Sequence, residues 1–430
     1  MAVESEAITS DSSPPKPALL EYGFWCFIAI AVGRLGELIP GLASIPLAKI
    51  AIGVALIGLI ANWKRLPRLA PAARPIASTA RWLLILVVAL TPFSIWPGAS
   101  LQFLLQELPT LSAITVIGYM MCRSWRSLRG TLLALVFSGV ILARAALSGY
   151  SGGRAATDTM YDTNDLAYIL VTILPISIGF LLTAKSKFKR LLYGGASLVL
   201  MIAILLTQSR GGLFGLLAAS ALMLFGSIRP PSKAGAGVRV SRKGKLAYLV
   251  AAVCGGMLIW FQLPYEARTR FSTVLDLGND YNLDPTNDKS RGQIWSRGLQ
   301  ATLSRPIGYG PNSFGMVDYR FGGRMMAPHN SFIQDLVELG VLGLFLFLRM
   351  YWLCWRTLKR ARSLFLQRSA LTDAEREQFV FARTLQCALV GNAVAGFFLS
   401  MAWATILWLL FATCMALIAY SESVFVESPR

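Results

Sequence analysis

Long apolar runs dominate this chain, and short clusters of arginine and lysine break them at near-regular intervals. A helix needs about 20 mostly apolar residues to cross the hydrocarbon core of a bilayer. Twelve segments fit that description: 20–38, 43–62, 82–97, 101–121, 130–149, 166–184, 191–207, 211–228, 246–263, 331–355, 382–400 and 403–420. The last two form one continuous run, divided near Ser400 because its length is roughly twice one span. The segments at 191–207 and 211–228 are short and separated only by Gln208, Ser209 and Arg210. The pattern predicts an all-α, polytopic integral membrane protein of about 12 transmembrane helices. Helices 1–9 fall in residues 20–263 and helices 10–12 in residues 331–420, with one large helical loop between.

Composition agrees and sharpens the picture. Of the 430 residues, 55% are hydrophobic and 15% charged, and the mean hydropathy is +0.56. A soluble domain carries about a quarter charged residues, so a disordered chain and an ordinary soluble enzyme are both excluded. The formal charge of +19 would suggest nucleic acid in a soluble protein. Here the basic residues sort by loop. Lys64, Arg65, Arg68, Arg74 and Arg81 fill one loop; Arg123, Arg126 and Arg129 another; Lys185, Lys187, Lys189 and Arg190 a third. Further groups run from Arg229 to Lys245 and from Arg356 to Arg383, whereas Pro97–Ser100 has no basic residue and Ser151–Asp165 has only Arg154 against three aspartates. This alternation follows the positive-inside rule and predicts both termini in the cytoplasm. Anionic lipid headgroups are the expected counter-charge, and nucleic acid is not needed. Residues 1–19 and 421–430 are then cytoplasmic tails, the first polar, disordered and lacking the positive start of a signal peptide. The six cysteines form no CxxC pair, which argues against structural zinc and against a disulfide framework.

The predicted outer side carries one long loop, residues 264–330. Loops of this length escape the positive-inside rule and are usually functional. Within it, Lys289 to Leu303 has helical spacing, with Ile294, Leu299 and Leu303 apolar, and predicts a helical cap on the outer face. Asp276, Asp280, Asp284 and Asp288 do not match a calcium-binding DxDxDG loop, and their spacing equally describes a solvated face.

Chemistry concentrates at the outer boundary. The single histidine, His329, sits where the loop enters span ten, in Pro328-His329-Asn330-Ser331. A lone histidine is often only structural. Here Pro328 punctuates the chain and Asn330 or Ser331 can cap the next helix, which holds a potential proton acceptor on a rigid element at the boundary. A metal site would need ligands that a lone histidine does not supply. Arg210 follows an apolar span directly, in Thr207-Gln208-Ser209-Arg210-Gly211-Gly212, and Arg291 opens the amphipathic stretch of the outer loop. Either could be an interface or surface charge. The planar donor fork of arginine also suits a fixed phosphate dianion. With His329 on the same side, they suggest a phosphorylated, lipid-linked substrate held beside a base.

These residues also carry a family resemblance. His329-Asn330, nine residues, Gly340, two residues and Gly343 resemble the signature of the bacterial O-antigen ligase and polymerase superfamily. Ser209-Arg210-Gly211-Gly212 is similar to its SRGG element, and Arg291 with Ile294-Trp295 and Pro306-Ile307-Gly308-Tyr309-Gly310 to another. Tyr161 to Ala167 is a weaker likeness to an NPN-xx-A element, with Thr163 where proline is common. The resemblance implies a GT-C-type glycosyltransferase of the bacterial inner membrane, with its active site on the periplasmic face. It would move a glycan from undecaprenyl diphosphate to an acceptor hydroxyl, of lipid A-core or of another glycan, without cofactor or metal. It implies diphosphate binding by Arg210 and Arg291 and acceptor activation by His329. Asn330, Arg154, Asn164, Arg320 and Arg324 complete the expected substrate-binding set. Ligase and polymerase share these motifs. A polysaccharide transporter or flippase is a third reading, but it would place paired broken helices at mid-membrane. A non-catalytic scaffold would leave the two arginines and the histidine unexplained.

Overall fold

A computed structural model describes residues 19–225, apart from 40, 43, 62–68, 151–153 and 158–160, and then residues 265, 268, 284 and 286–427, apart from 369 and 370. The predicted N-terminal tail, the span at 246–263 and most of the first half of the long loop lie outside the described residues. Among the described residues every regular element is helical. Among the described residues, eight helical stretches are long and apolar enough to cross a membrane, Pro97–Met120 being two helices end to end, and three shorter apolar helices accompany them.

The first half of the chain forms α1 (Leu19–Ala31), the short α2 (Leu35–Leu38), α3 (Leu47–Ala61), α4 (Arg74–Leu90), α5 (Pro97–Gln106), α6 (Leu108–Met120) and α7 (Trp125–Ser148). Next come α8 (Thr163–Thr183), α9 (Lys187–Leu206) and α10 (Arg210–Phe225). After the long loop begins, α11 (Arg291–Ser304) and α12 (Phe314–Arg320) precede α13 (Ser331–Leu366), α14 (Asp373–Gly396) and α15 (Thr405–Glu427). The bundle is built around α8, α14 and α15, the most enclosed spans, while α9 turns Phe188, Leu191 and Leu198 outward. α14 packs on α8, α10 and α13, and α15 packs on α6 and α13.

Several helices depart from the apolar runs for identifiable reasons. The first run does not form one helix: it breaks after Ala31, and Arg34 adopts φ +53 and lays its guanidinium over the Tyr161 ring at 4.8 Å. α13 outruns its apolar segment by eleven residues, because Leu358, Ala361 and Phe365 keep a buried stripe after hydropathy has fallen. α14 starts well before its apolar segment, at a capping box in which the Thr372 hydroxyl accepts from Glu375 N–H and the Glu375 carboxylate accepts from Thr372 N–H. The division near Ser400 corresponds to a turn over 397–404.

Side-chain contacts separate the two ends of the bundle. At one end Arg129 pairs with Glu377, Lys185 with Asp373, Arg360 with Glu422 and Arg368 with Glu375. Among the described residues, the basic side chains near the α6–α7, α8–α9 and α13–α14 connections meet here. At the other end lie Arg34, Tyr161, the starts of α8 and α10, the α11–α12 segment and His329.

Candidate active site

The His329 end is assembled by three interlocked pieces. The first is the start of α13. The Asn330 side-chain oxygen caps it, accepting from Phe332 N at 2.9 Å and Ile333 N at 3.0 Å. The Ser331 hydroxyl donates to Leu399 O at 2.7 Å and accepts from Met401 N at 2.9 Å, so the helix start is fastened to the 397–404 turn. His329 therefore stands one residue outside a capped helix, half-buried, in a left-handed conformation with φ +46. Burial and the neighbouring Arg291 guanidinium hold its imidazole below the ordinary histidine value, while the Asp162 carboxylate acts in the opposite direction. A neutral imidazole within reach of a cation and an anion is suited to accept a proton.

The second piece joins two of the sequence elements. Gly340 interrupts the hydrogen-bonding geometry of α13 with φ +74 and ψ −171. The Pro306–Gly310 segment runs alongside this break: Tyr309 N donates to Val337 O, Gly310 N to Glu338 O and Val341 N to Pro306 O, at 2.8–3.0 Å. A side chain on Gly308 would meet Glu338 O at 2.6 Å. The glycines thus serve a backbone-to-backbone approach that fixes α11 against α13. Glu338, fully buried, accepts from Asn312 N and Phe314 N and so caps α12 from another helix.

The third piece brings the α8 and α10 starts together. Asp162 caps α8, accepting from Asn164 N at 2.7 Å and Asp165 N at 2.8 Å. Arg154 donates to Asn164 Oδ1 at 3.1 Å and to Thr207 O at 3.0 Å, lacing α8 to the chain just ahead of Arg210. Ser209 caps α10 at Gly212 N. A side chain on Gly211 would meet Phe398 and one on Gly212 would meet Ala167, so both glycines admit protein neighbours.

The site residues expected from sequence are placed as follows. His329 and Arg291 are electrostatic neighbours. Arg291 opens α11, anchored nearby where Trp295 Nε1 donates to Pro328 O at 2.7 Å. Arg210 opens α10 at the same end. Arg154 and Asn164 are bonded to each other, and Asn330 is the cap beneath His329. Arg324 is paired with Asp288 at 2.7 Å, and Arg320 lies exposed in the last turn of α12.

Three acidic residues were not nominated by sequence reasoning. Asp162 lies in the Tyr161–Ala167 stretch, where nothing in the sequence marks it as a cap or as a neighbour of His329. Glu338 and Asp335 lie in the apolar part of α13, where ionisable residues are costly and mark function. Asp335 is fully buried, and among the described residues neither oxygen has a hydrogen-bond partner. Deeper in the bundle the Asn392 side-chain oxygen accepts from Tyr351 at 2.7 Å and Tyr168 at 3.2 Å, and its nitrogen donates to Thr172 at 2.9 Å. The polar interior thus extends below the boundary.

The outer cap has its own anchor. Arg297 Nε donates to Asp318 Oδ1 at 2.7 Å with both side chains buried, and the second carboxylate oxygen accepts from Arg324 N and Met326 N. Asp318→Ala should cost about 3–5 kcal/mol, since it leaves a buried guanidinium with the Asp288 carbonyl but without its counter-charge. Rapid proteolysis at 318–326 in the variant would be the sign; wild-type resistance would show that Arg297 finds another partner.

Residues 195–348 match the profile of the family described as O-antigen ligase. No curated protein matches the chain. The matched stretch includes Arg210, Arg291, His329 and the Gly340 break.

Proposed function

We propose that this multi-pass membrane protein, which carries a domain of the O-antigen ligase family, transfers a glycan from undecaprenyl diphosphate to a hydroxyl of lipid A-core. The reaction would occur on the periplasmic face of the bacterial inner membrane, with both termini of the chain in the cytoplasm. The observation that carries the reading is His329 just ahead of a capped helix start, within electrostatic reach of Arg291 and Asp162 and inside the family's matched region.

In this reading the acceptor oxygen attacks the anomeric carbon of the donor sugar while His329 takes the hydroxyl proton. The bond from the anomeric carbon to the phosphate oxygen breaks, and undecaprenyl diphosphate leaves with the electron pair. Arg210 and Arg291 stabilise the charge that grows on the leaving group. Asp162 favours the imidazolium formed in the step. The donor already holds the energy, so neither ATP nor a divalent cation enters. Extension of a glycan on the same carrier, the polymerase reaction, uses the same chemistry with a different acceptor.

The test is incubation of the purified protein with a diphosphate-linked oligosaccharide and lipid A-core in excess EDTA. A single transfer to the core is expected. A ladder on the carrier would make the protein a polymerase, a requirement for magnesium or manganese would remove the metal-free mechanism, and no transfer to either acceptor would remove the enzyme reading. In the same assay, Arg210→Ala and Arg291→Ala should each lose about 1.5–3 kcal/mol of stabilisation, the worth of a charged hydrogen bond. Lysine at either position should restore only part of it, because the fork is lost. Full activity in both alanine variants would remove the arginines from the site.

A further inference from the structure

At the end of the bundle away from His329, the connection between α8 and α9, the start of α14 and the side of α7 enclose a cavity of about 850 Å³. The transfer chemistry makes no use of it. Arg129, Lys185, Lys189 and Arg376 line it, against Asp373 and Glu377. Four cations and two carboxylates leave a surplus of two positive charges. Both carboxylates are already engaged: Glu377 accepts from Arg129 at 2.9 Å and from Trp125 Nε1 at 2.7 Å, and Asp373 pairs with Lys185. Lys187 and Arg190, in the first turn of α9, add to the positive field. The deeper wall is apolar, formed by Phe180, Leu182 and Val380.

We propose that this cavity is a binding site for an anionic phospholipid. A phosphodiester headgroup would lie among Arg129, Lys189 and Arg376, with the upper part of an acyl chain along Phe180 and Leu182. The pairing of a cationic rim with an apolar wall at a helix end selects an amphiphile over a free anion. Basic pockets between transmembrane helices at the membrane surface take such headgroups, and the volume lies in the range of small-molecule sites. A bound lipid would clamp α7, α8 and α14 at one end. The far end of α8 holds Asp162, and the turn after α14 holds Ser331 in place. The proposal does not depend on the transfer reading.

The experiment uses the full chain purified in detergent and delipidated. Dioleoyl phosphatidylglycerol, dioleoyl phosphatidylcholine or inorganic phosphate is added, and thermal unfolding and lipid retention in native mass spectrometry are read. Phosphatidylglycerol should raise the melting temperature and remain bound, whereas phosphatidylcholine should do neither. The double variant K189E/R376E should weaken retention by about tenfold or more. R356E/K359E, with the same charge change on the exposed face of α13, should retain phosphatidylglycerol like wild type. Equal weakening in both doubles would reduce the effect to the general surface field and overturn the proposal. So would equal stabilisation by phosphatidylcholine, or inorganic phosphate reproducing the whole effect. If K189E/R376E fails to fold, Lys189→Gln serves instead, and undiminished retention in it and in Arg376→Gln overturns the site.

Discussion

His329→Ala is expected to lower transfer by about 10²–10⁴ per folded molecule, the usual effect of losing a positioned acid–base group. The imidazole is half-buried outside the helix it precedes, so insertion and folding should change little. Two further variants separate proton transfer from orientation. Gln keeps hydrogen bonding and cannot take the proton. Asn does the same and also tolerates the left-handed backbone that His329 adopts. If either turned over near the wild-type rate, His329 would orient the acceptor and the general-base role would be lost. The pH profile gives an independent reading. The active form is the neutral imidazole, so the rate should rise with pH through a value below the ordinary histidine range and then level off. Arg291→Ala removes one of the two influences holding that value down, so its acid limb should move to higher pH, whatever the loss in maximal rate. Asp162→Asn preserves the cap on α8 and removes the opposing charge, so its limb should move to lower pH. An acid limb unmoved by both changes would mean that some other group titrates.

Gly340→Ala is expected to be the most damaging small change to the fold. Its φ and ψ lie in a region essentially confined to glycine, which costs about 1–3 kcal/mol for other residues. The added carbon would also meet Pro306 O at 2.3 Å and Ile307 C at 2.4 Å, backbone atoms that cannot step aside without parting α11 from α13. A loss of about 3 kcal/mol or more follows from strain and overlap together. Activity should fall with it, because Arg291 stands on α11 and His329 heads α13. The check is the melting temperature and the folded yield in detergent, compared with Ala substituted at Gly53, where nothing lies within 4 Å. Equal behaviour of the two variants would show that the break relaxes freely.

The fold class could be read from the sequence because hydropathy and basic clustering are strong, redundant signals in a bilayer. Both report on solvent, and solvent changes over a length close to one span. Helix ends were less legible where they depend on something else. The extension of α13 beyond Trp355 follows a buried stripe rather than hydropathy, and the break at Arg34 follows a cation–aromatic contact with Tyr161, 127 positions away. His329, Arg291 and Arg210 stood out because polar residues at apolar boundaries are few. Asp162 as a partner of His329 did not, since their closeness arises only when α8 and α13 pack in one bundle. Asp335 and Glu338 stayed hidden inside a segment that otherwise reads as membrane-spanning.

The break at Gly340 also gives a meaning to the spacing that precedes it. Nine helical residues, Ser331 to Leu339, lie between the cap Asn330 and Gly340. Each adds about 100° of rotation about the helix axis. Together they set the direction in which the capped start leaves the break, where Pro306 to Gly310 lies against the helix. What the nine residues hold constant is an angle. Apart from Ser331 and Glu338, which hold the 397–404 turn and α12, their identities can vary with the neighbours they face, but one residue more or fewer would swing the imidazole about 100° around the axis. Such a chain would keep every chemical group of the site and aim one of them elsewhere.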